Sequence, residues 1–201
     1  MFDATLLPFV KRAIDRPARM LAASGIRADQ ITLFGFGIGL VGVMALWAGL
    51  FWTALFCLAL NRLADGLDGA VARLTAPTDR GAFLDIALDF MFYGLFPLGF
   101  ALHDPGTNAL PAALLIASFI GTGSSFLAFS IIAEKRGLSS EDYPTKGIYY
   151  LGGLTEGTET IALFVAMCLF PAAFPWLAYG FAALCAITTL TRWLAGWRMF
   201  I

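Results

Sequence analysis

Four aspartates, Asp65, Asp68, Asp85 and Asp89, stand at helical spacing in the stretch DGLDGAVARLTAPTDRGAFLDIALD of a chain that is 59% hydrophobic. Asp65 and Asp68 are three residues apart, and Gly69 and Ala72 continue their face at four and seven residues from Asp65. Asp85 and Asp89 lie one turn apart on the next helix. An aspartate at the centre of a membrane helix costs about 2.5–3.5 kcal/mol, and four converging carboxylates also repel one another. Something positive has to neutralise them, and Arg73 alone does not suffice. Carboxylate oxygens are the ligand set of Mg²⁺ and Mn²⁺, and no His or Cys is placed to suggest zinc. Two cations bridged by shared carboxylates clamp a phosphoryl group. Gly66, Gly69 and Ala72 leave a trough in which a diphosphate can lie, Gly81 does the same opposite, and Arg73 is a fixed donor for phosphate or carboxylate. The plainer reading is that the acids pair with Arg62, Arg73 and Arg80 to hold two helices together. Three arginines against four aspartates leave a deficit, and ion pairing does not account for the glycines.

The elements that carry these residues are membrane helices. Only 13% of the 201 residues are charged, against about 25% in soluble domains, and the mean hydropathy is +0.79. A spanning helix needs roughly 20 apolar residues. Six runs qualify, at about 31–50, 52–74, 81–102, 109–133, 148–170 and 173–195, and they leave no room for a soluble domain. The expected fold is an all-α integral membrane protein with a single domain over residues 1–201, its six-helix bundle filling about 31–195. Residues 1–24 oppose charges at 11, 12, 15, 16 and 19 to apolar side chains at 6, 9, 10, 13, 14, 20 and 21. That pattern predicts an amphipathic helix lying in the membrane interface, anchored by anionic lipid, and the stretch lacks the basic start of a cleavable signal.

Lys and Arg cluster at 11–27, at Arg73 and Arg80, at Lys135, Arg136 and Lys146, and at Arg192 and Arg198. The connections Gly49–Trp52, His103–Asn108 and Phe170–Pro175 carry none. Positive loops mark the cytoplasmic side, so both termini and the aspartate site are expected there, in a plasma or inner membrane. Within the spans, Gly35 and Gly39 read as a close helix contact. Pro77 ends the second span and Thr78 or Asp79 caps the third. Cys57, Cys168 and Cys185 read as small buried residues, and His103 as a solvated residue of an outer connection.

The pattern Asp65-x2-Asp68-Gly69-x2-Ala72-Arg73-x7-Gly81-x3-Asp85-x3-Asp89 resembles the signature of the CDP-alcohol phosphotransferases, also called CDP-alcohol phosphatidyltransferases. The resemblance implies transfer of a phosphatidyl group from a CDP-linked lipid donor, usually CDP-diacylglycerol, to an alcohol acceptor, with release of CMP. It implies that Asp65, Asp68 and Asp85 hold the metals, two Mg²⁺ or Mn²⁺ ions in all. Asp89 would be a further ligand and the base that deprotonates the acceptor. Asp68, Gly69, Ala72 and Arg73 would line the CDP site and Gly81 would give clearance. By the same analogy the partners are membrane lipids rather than nucleic acid, and the protein can be a homodimer. A head-group donor such as CDP-choline with a lipid alcohol is compatible with the same motif.

For the acceptor, the fifth span opens with Glu156 and Glu159, ringed by Thr155, Thr158 and Thr160. Acids inside a membrane helix are functional candidates, and these are expected to face the aspartates and touch the acceptor. Pairing with Lys146 or Arg62 for packing is the alternative. Arg62, beside Asn61 and three residues before Asp65, can touch nucleotide or acceptor, or pair structurally. Lys146, with Lys135 and Arg136, can bind a phosphorylated acceptor or simply set the topology. A different class of function, a divalent-cation transporter or channel using the acids as its path, would need further acidic sites toward the outer face. None descends there, and no inverted repeat is visible.

Overall fold

The computed structural model describes residues 14–137 and 154–200, and among them every α or β element is helical. Residues 14–23 form α1, followed by α2 (Ala28–Trp47), α3 (Phe51–Leu74), α4 (Asp79–His103), α5 (Pro105–Lys135), α6 (Gly157–Leu169) and α7 (Phe174–Met199). α2, α4, α5, and α7 with the short 3-10 turn before it are long and apolar enough to cross a membrane. α3 has the length, with 24 residues, but Arg62, Asp65, Asp68 and Arg73 interrupt it from its middle onward. α6 is described over 13 residues, and residues 148–153, where the fifth apolar run begins, lie outside the described residues.

The turn chemistry explains the boundaries. Thr78, extended at φ −125°, accepts the Gly81 backbone N–H on its hydroxyl at 3.0 Å and so starts α4 two residues after Pro77. Asp104 starts α5 in the same way, accepting from Thr107 N–H at 3.2 Å with Pro105 in the first turn. Those bonds hold the Asp104 carboxyl below the usual carboxylate range. At the end of α2, Gly49 takes φ +75°, which reverses the chain into α3 within three residues.

α2 packs on α3 and α4, α5 on α4 and α7, and α6 on α3. Small residues let α2 settle closely on its neighbours. A Cβ on Gly35 would stand 2.6 Å from the Ala64 Cβ, and one on Gly39 would stand 2.9 Å from the Phe92 ring, so both approaches require glycine. Phe92, Phe96 and Phe100 run down the inner face of α4 and are almost fully buried. Phe96 stacks on Phe164 at 4.2 Å, and Phe100 stacks on Phe174 at 4.5 Å. This aromatic spine joins α4 to α6 and α7 and sets the rotation of α4 about its axis. All three cysteines are free and buried, as expected.

Two features differ from expectation. His103 is exposed, as expected, but it belongs to a helix rather than a connection: it ends α4, its Nδ1 lies 3.3 Å from the Trp47 carbonyl, and its ring meets Phe51 edge-on at 5.2 Å. The last turn of α4 thereby reaches the ends of α2 and α3, where Gly49 leaves room for the imidazole. The described part of the N-terminal helix also has a tertiary contact that periodicity does not announce. Ala18 of α1 is buried in a small cluster with Ile31, Ala64 and Val71, while Arg16, Arg19 and Met20 remain exposed. Residues 1–13 lie outside the described residues.

Candidate active site

α3 and α4 run in opposite directions from the break at Thr75–Thr78, so the C-terminal turns of one lie beside the N-terminal turns of the other. The helical spacing then turns Asp65, Asp68, Asp85 and Asp89 toward one narrow cavity of about 20 Å³, shared with Thr32, Asn61, Arg62 and Phe92. The expected convergence of two carboxylate pairs from two helices is therefore present in the geometry.

A larger cavity of about 580 Å³ opens beside it, between the α1–α2 turn, the end of α3 and the start of α4. Asp68, Gly69, Ala72, Arg73, Gly81 and Asp85 all line it, together with Arg27, Asp29 and Arg80. Asp68 and Asp85, with Thr32, border both cavities. A volume of this size suits a small-molecule ligand. The Arg73 guanidinium lies over Gly69, where a Cβ would stand 3.3 Å from it. A Cβ on Gly81 would meet Asp29 and the Thr78 hydroxyl, each at 3.1 Å. Gly66 departs from the expected trough: it faces α1, where an added Cβ would stand 3.6 Å from Ile14, because its position on α3 is rotated away from the motif face.

The arginines divide as charge alone would not indicate. Arg80 bonds Asp29 on α2, across the mouth of the larger cavity, and not a motif aspartate. Arg62 reaches the acids. It donates to Asp89 Oδ1 at 2.8 Å and stands 3.7 Å from Asp65 Oδ2. The same guanidinium donates twice to Asn61 Oδ1, at 2.9 and 2.7 Å, and lies over the rings of Phe92 and Tyr93. Asn61 is itself fixed, donating from Nδ2 to the Gly35 carbonyl at 2.9 Å. Thr32 donates to Asp68 Oδ2 at 2.5 Å. Asn61 was expected beside the motif face, whereas Thr32 and Asp29 carry no motif signal; a polar side chain in an otherwise apolar run is the one clue to Thr32.

The donor set suits a hard divalent cation, with four carboxylates around one cavity and no His or Cys lining it. As they stand, no three Asp, Glu, His or Cys side chains among the described residues close around a single point. Arg62 draws on Asp65 and Asp89 while Thr32 holds Asp68, so the chemistry fits and the side chains would have to turn.

Glu156 and Glu159 take a different place from the one expected. Glu156 is not within a helix; it is the N-cap of α6, with its side chain accepting from the backbone of Glu159. The Glu159 side chain reaches back to the Glu156 N–H at 3.2 Å. This capping box satisfies helix-end donors that would otherwise be exposed to an apolar surrounding. Neither glutamate lines either cavity. Their neighbourhood is still close to the site, since Gly157 approaches the Tyr93 hydroxyl and Tyr93 carries the Arg62 guanidinium. Lys146 lies outside the described residues.

An all-helical membrane fold with paired carboxylates at one end of two antiparallel helices defines a narrow class, and the chain belongs to the CDP-alcohol phosphatidyltransferase family, whose sequence model matches residues 26–193. It is an integral membrane enzyme of that class, serving phospholipid synthesis. The inner membrane protein YnjF of Escherichia coli K12 is 52% identical over 98% of this chain and 96% of its own length. An archaetidylinositol phosphate synthase of Pyrococcus horikoshii is 34% identical over 47% of this chain, which spans about half of that protein (51%). The crystal structure of the Mycobacterium tuberculosis phosphatidylinositol phosphate synthase with CDP-DAG bound shares the fold, with a TM-score of 0.68, 22% identity, and coverage of 92% of this chain and 94% of that one.

Proposed function

We propose that this protein transfers the phosphatidyl group of CDP-diacylglycerol to an alcohol and releases CMP. The observation that carries the reading is the pair of adjoining cavities: the motif's small residues and Arg73 line the larger, and four carboxylates line the smaller. The solved relative that shares the fold holds CDP-DAG, which is consistent with a nucleotide-linked lipid as donor here.

In this reading the larger cavity takes the CDP moiety. Gly69, Ala72 and Gly81 keep that space open and Arg73 meets a phosphate or carboxylate group. Asp65, Asp68, Asp85 and Asp89 are the residues that would hold Mg²⁺ or Mn²⁺, two ions in all. Bound there, the ions would neutralise the diphosphate and the charge that builds on the departing CMP. Asp89 takes the proton of the acceptor hydroxyl. The acceptor oxygen then bonds to the phosphorus that bears diacylglycerol as the bond from that phosphorus to the CMP oxygen breaks. The lipid product and CMP leave, and the proton passes from Asp89 to water.

The acceptor reaches this centre from the side of Tyr93, Arg62 and the start of α6. Glu156 and Glu159 contact or orient it, and Lys146 belongs to the same acceptor set. Six spans over a single domain of 1–201, an interfacial helix at 1–24, and termini and site on the cytoplasmic face complete the reading. The basic residues gathered at one set of helix ends support it. The test is direct. Purified protein is incubated with CDP-diacylglycerol and a panel of alcohols, free and phosphorylated, and CMP release and the lipid product (by mass spectrometry) are followed with and without EDTA. Release that needs Mg²⁺ or Mn²⁺ is the expected result. Full release in chelator would overturn the metal site, and no release with any donor and acceptor pair would overturn the reaction.

A further inference from the structure

We propose that Arg62 is the resident counter-ion of the carboxylate site: it holds Asp65 and Asp89 together while no divalent cation is bound, and an entering cation must take Asp89 from it. The inference rests on the reading that the aspartates hold divalent cations.

Arg62 sits one turn before Asp65 on α3, with its side chain only 18% exposed. Its guanidinium bridges the two helices, bonded to Asp89 at 2.8 Å and 3.7 Å from Asp65. Without it those carboxylates would face each other in a partly dry cavity, where repulsion at a few ångströms is far stronger than in water. Its charge occupies the space in which a divalent cation would have to share the same oxygens. Two cations on one carboxylate in that setting repel each other, so occupancy by one weakens the hold of the other.

Arg62 can release Asp89 without losing its other partners. Asn61, anchored to the Gly35 carbonyl, accepts from two of its nitrogens, and the faces of Phe92 and Tyr93 receive the cation. The side chain therefore has two contacts that compete with a metal, the bond to Asp89 and the longer approach to Asp65, and several that do not. The scattered arrangement of the carboxylates follows, since two of the four are turned to Arg62. Arg80, engaged with Asp29, does not reach them.

The experiment measures Mn²⁺ binding to the purified full-length chain by electron paramagnetic resonance at mildly alkaline pH, where competition from protons is small. A hydrogen bond between charged groups is worth about 1.5–3 kcal/mol, so Arg62→Gln should bind Mn²⁺ at least about tenfold more tightly. Metal-free Arg62→Gln should melt earlier than wild type and recover on adding Mn²⁺, and Arg62→Lys, which keeps the charge, should stay nearer to wild-type affinity. A second measurement needs no variant: Mn²⁺ should raise the rate at which phenylglyoxal modifies Arg62 in the wild-type protein, read by peptide mass spectrometry. Unchanged or weaker Mn²⁺ binding by Arg62→Gln, or Arg62 reactivity that Mn²⁺ leaves unchanged or lowers, would overturn the proposal. Failure of the wild-type protein to bind Mn²⁺ at all would instead overturn the metal reading beneath it.

Discussion

The hydroxyl of Thr32 on α2 donates to Asp68 Oδ2 on α3 at 2.5 Å, and both residues border the two cavities. The Ala28 carbonyl, 3.1 Å from the same hydroxyl, is the alternative acceptor for its one proton. α2 thereby helps to set the direction of a carboxylate that belongs to α3.

Thr32→Val keeps the branched shape and removes the donor. A hydrogen bond to a charged group contributes about 1.5–3 kcal/mol, so kcat/KM for CMP release should fall about ten- to a hundredfold. Wild-type kinetics in this variant would show that Asp68 orients itself without help from α2.

Asp89→Asn should abolish transfer while the protein stays folded and still binds a CDP analogue. The amide keeps the shape and can still accept from Arg62, but it cannot take a proton from the acceptor. The check pairs CMP release with equilibrium nucleotide binding; release near the wild-type rate would remove Asp89 from the role of base.

Gly35→Ala places a methyl group 2.6 Å from the Ala64 Cβ, where both atoms belong to rigid helices. Overpacking of this kind costs about 1–3 kcal/mol, so thermal unfolding in detergent should begin several degrees earlier. Gly37→Ala, with nothing within 4 Å of its added carbon, should be neutral or slightly stabilising. Equal melting of the two variants would contradict the close α2–α3 contact.

Glu159→Gln separates a structural from an acceptor role. Glutamine at this position preserves the capping box, so the melting temperature should not move. Loss of a charged contact to the acceptor should raise its KM about tenfold. Unchanged KM and kcat would remove Glu159 from the acceptor set.

Much of the site could be read from the chain without coordinates. The spacing of Asp65, Asp68, Asp85 and Asp89 places each pair on one helical face, and the Pro77 break with the Thr78 cap forces the two helices to double back. The partners of those aspartates were harder to foresee. In α2, α4 and α5 apolar residues cover nearly every face, so composition does not say which side of a helix meets which neighbour. Thr32 therefore reads as an isolated polar residue in a greasy run, and Gly66 as part of the trough. The Glu156–Glu159 pair shows the same limit from another direction: α6 begins at Gly157, within the expected fifth span rather than ahead of both acids, and this turns Glu156 into a cap.

The order of residues alone was enough to establish the membrane class, the helix breaks and which acids share a face, because these follow from local periodicity and from short-range turn chemistry. The choice of partner for each charge was left to the packing of the helices. Arg62 rather than Arg73 or Arg80 meets Asp89, and Arg80 meets Asp29, because the rotation of α3 and α4 about their axes is set by Gly35 and Gly39 against Ala64 and Phe92 and by the buried phenylalanines of α4. Those contacts join residues far apart in the chain, and their fit exists only once the helices are together.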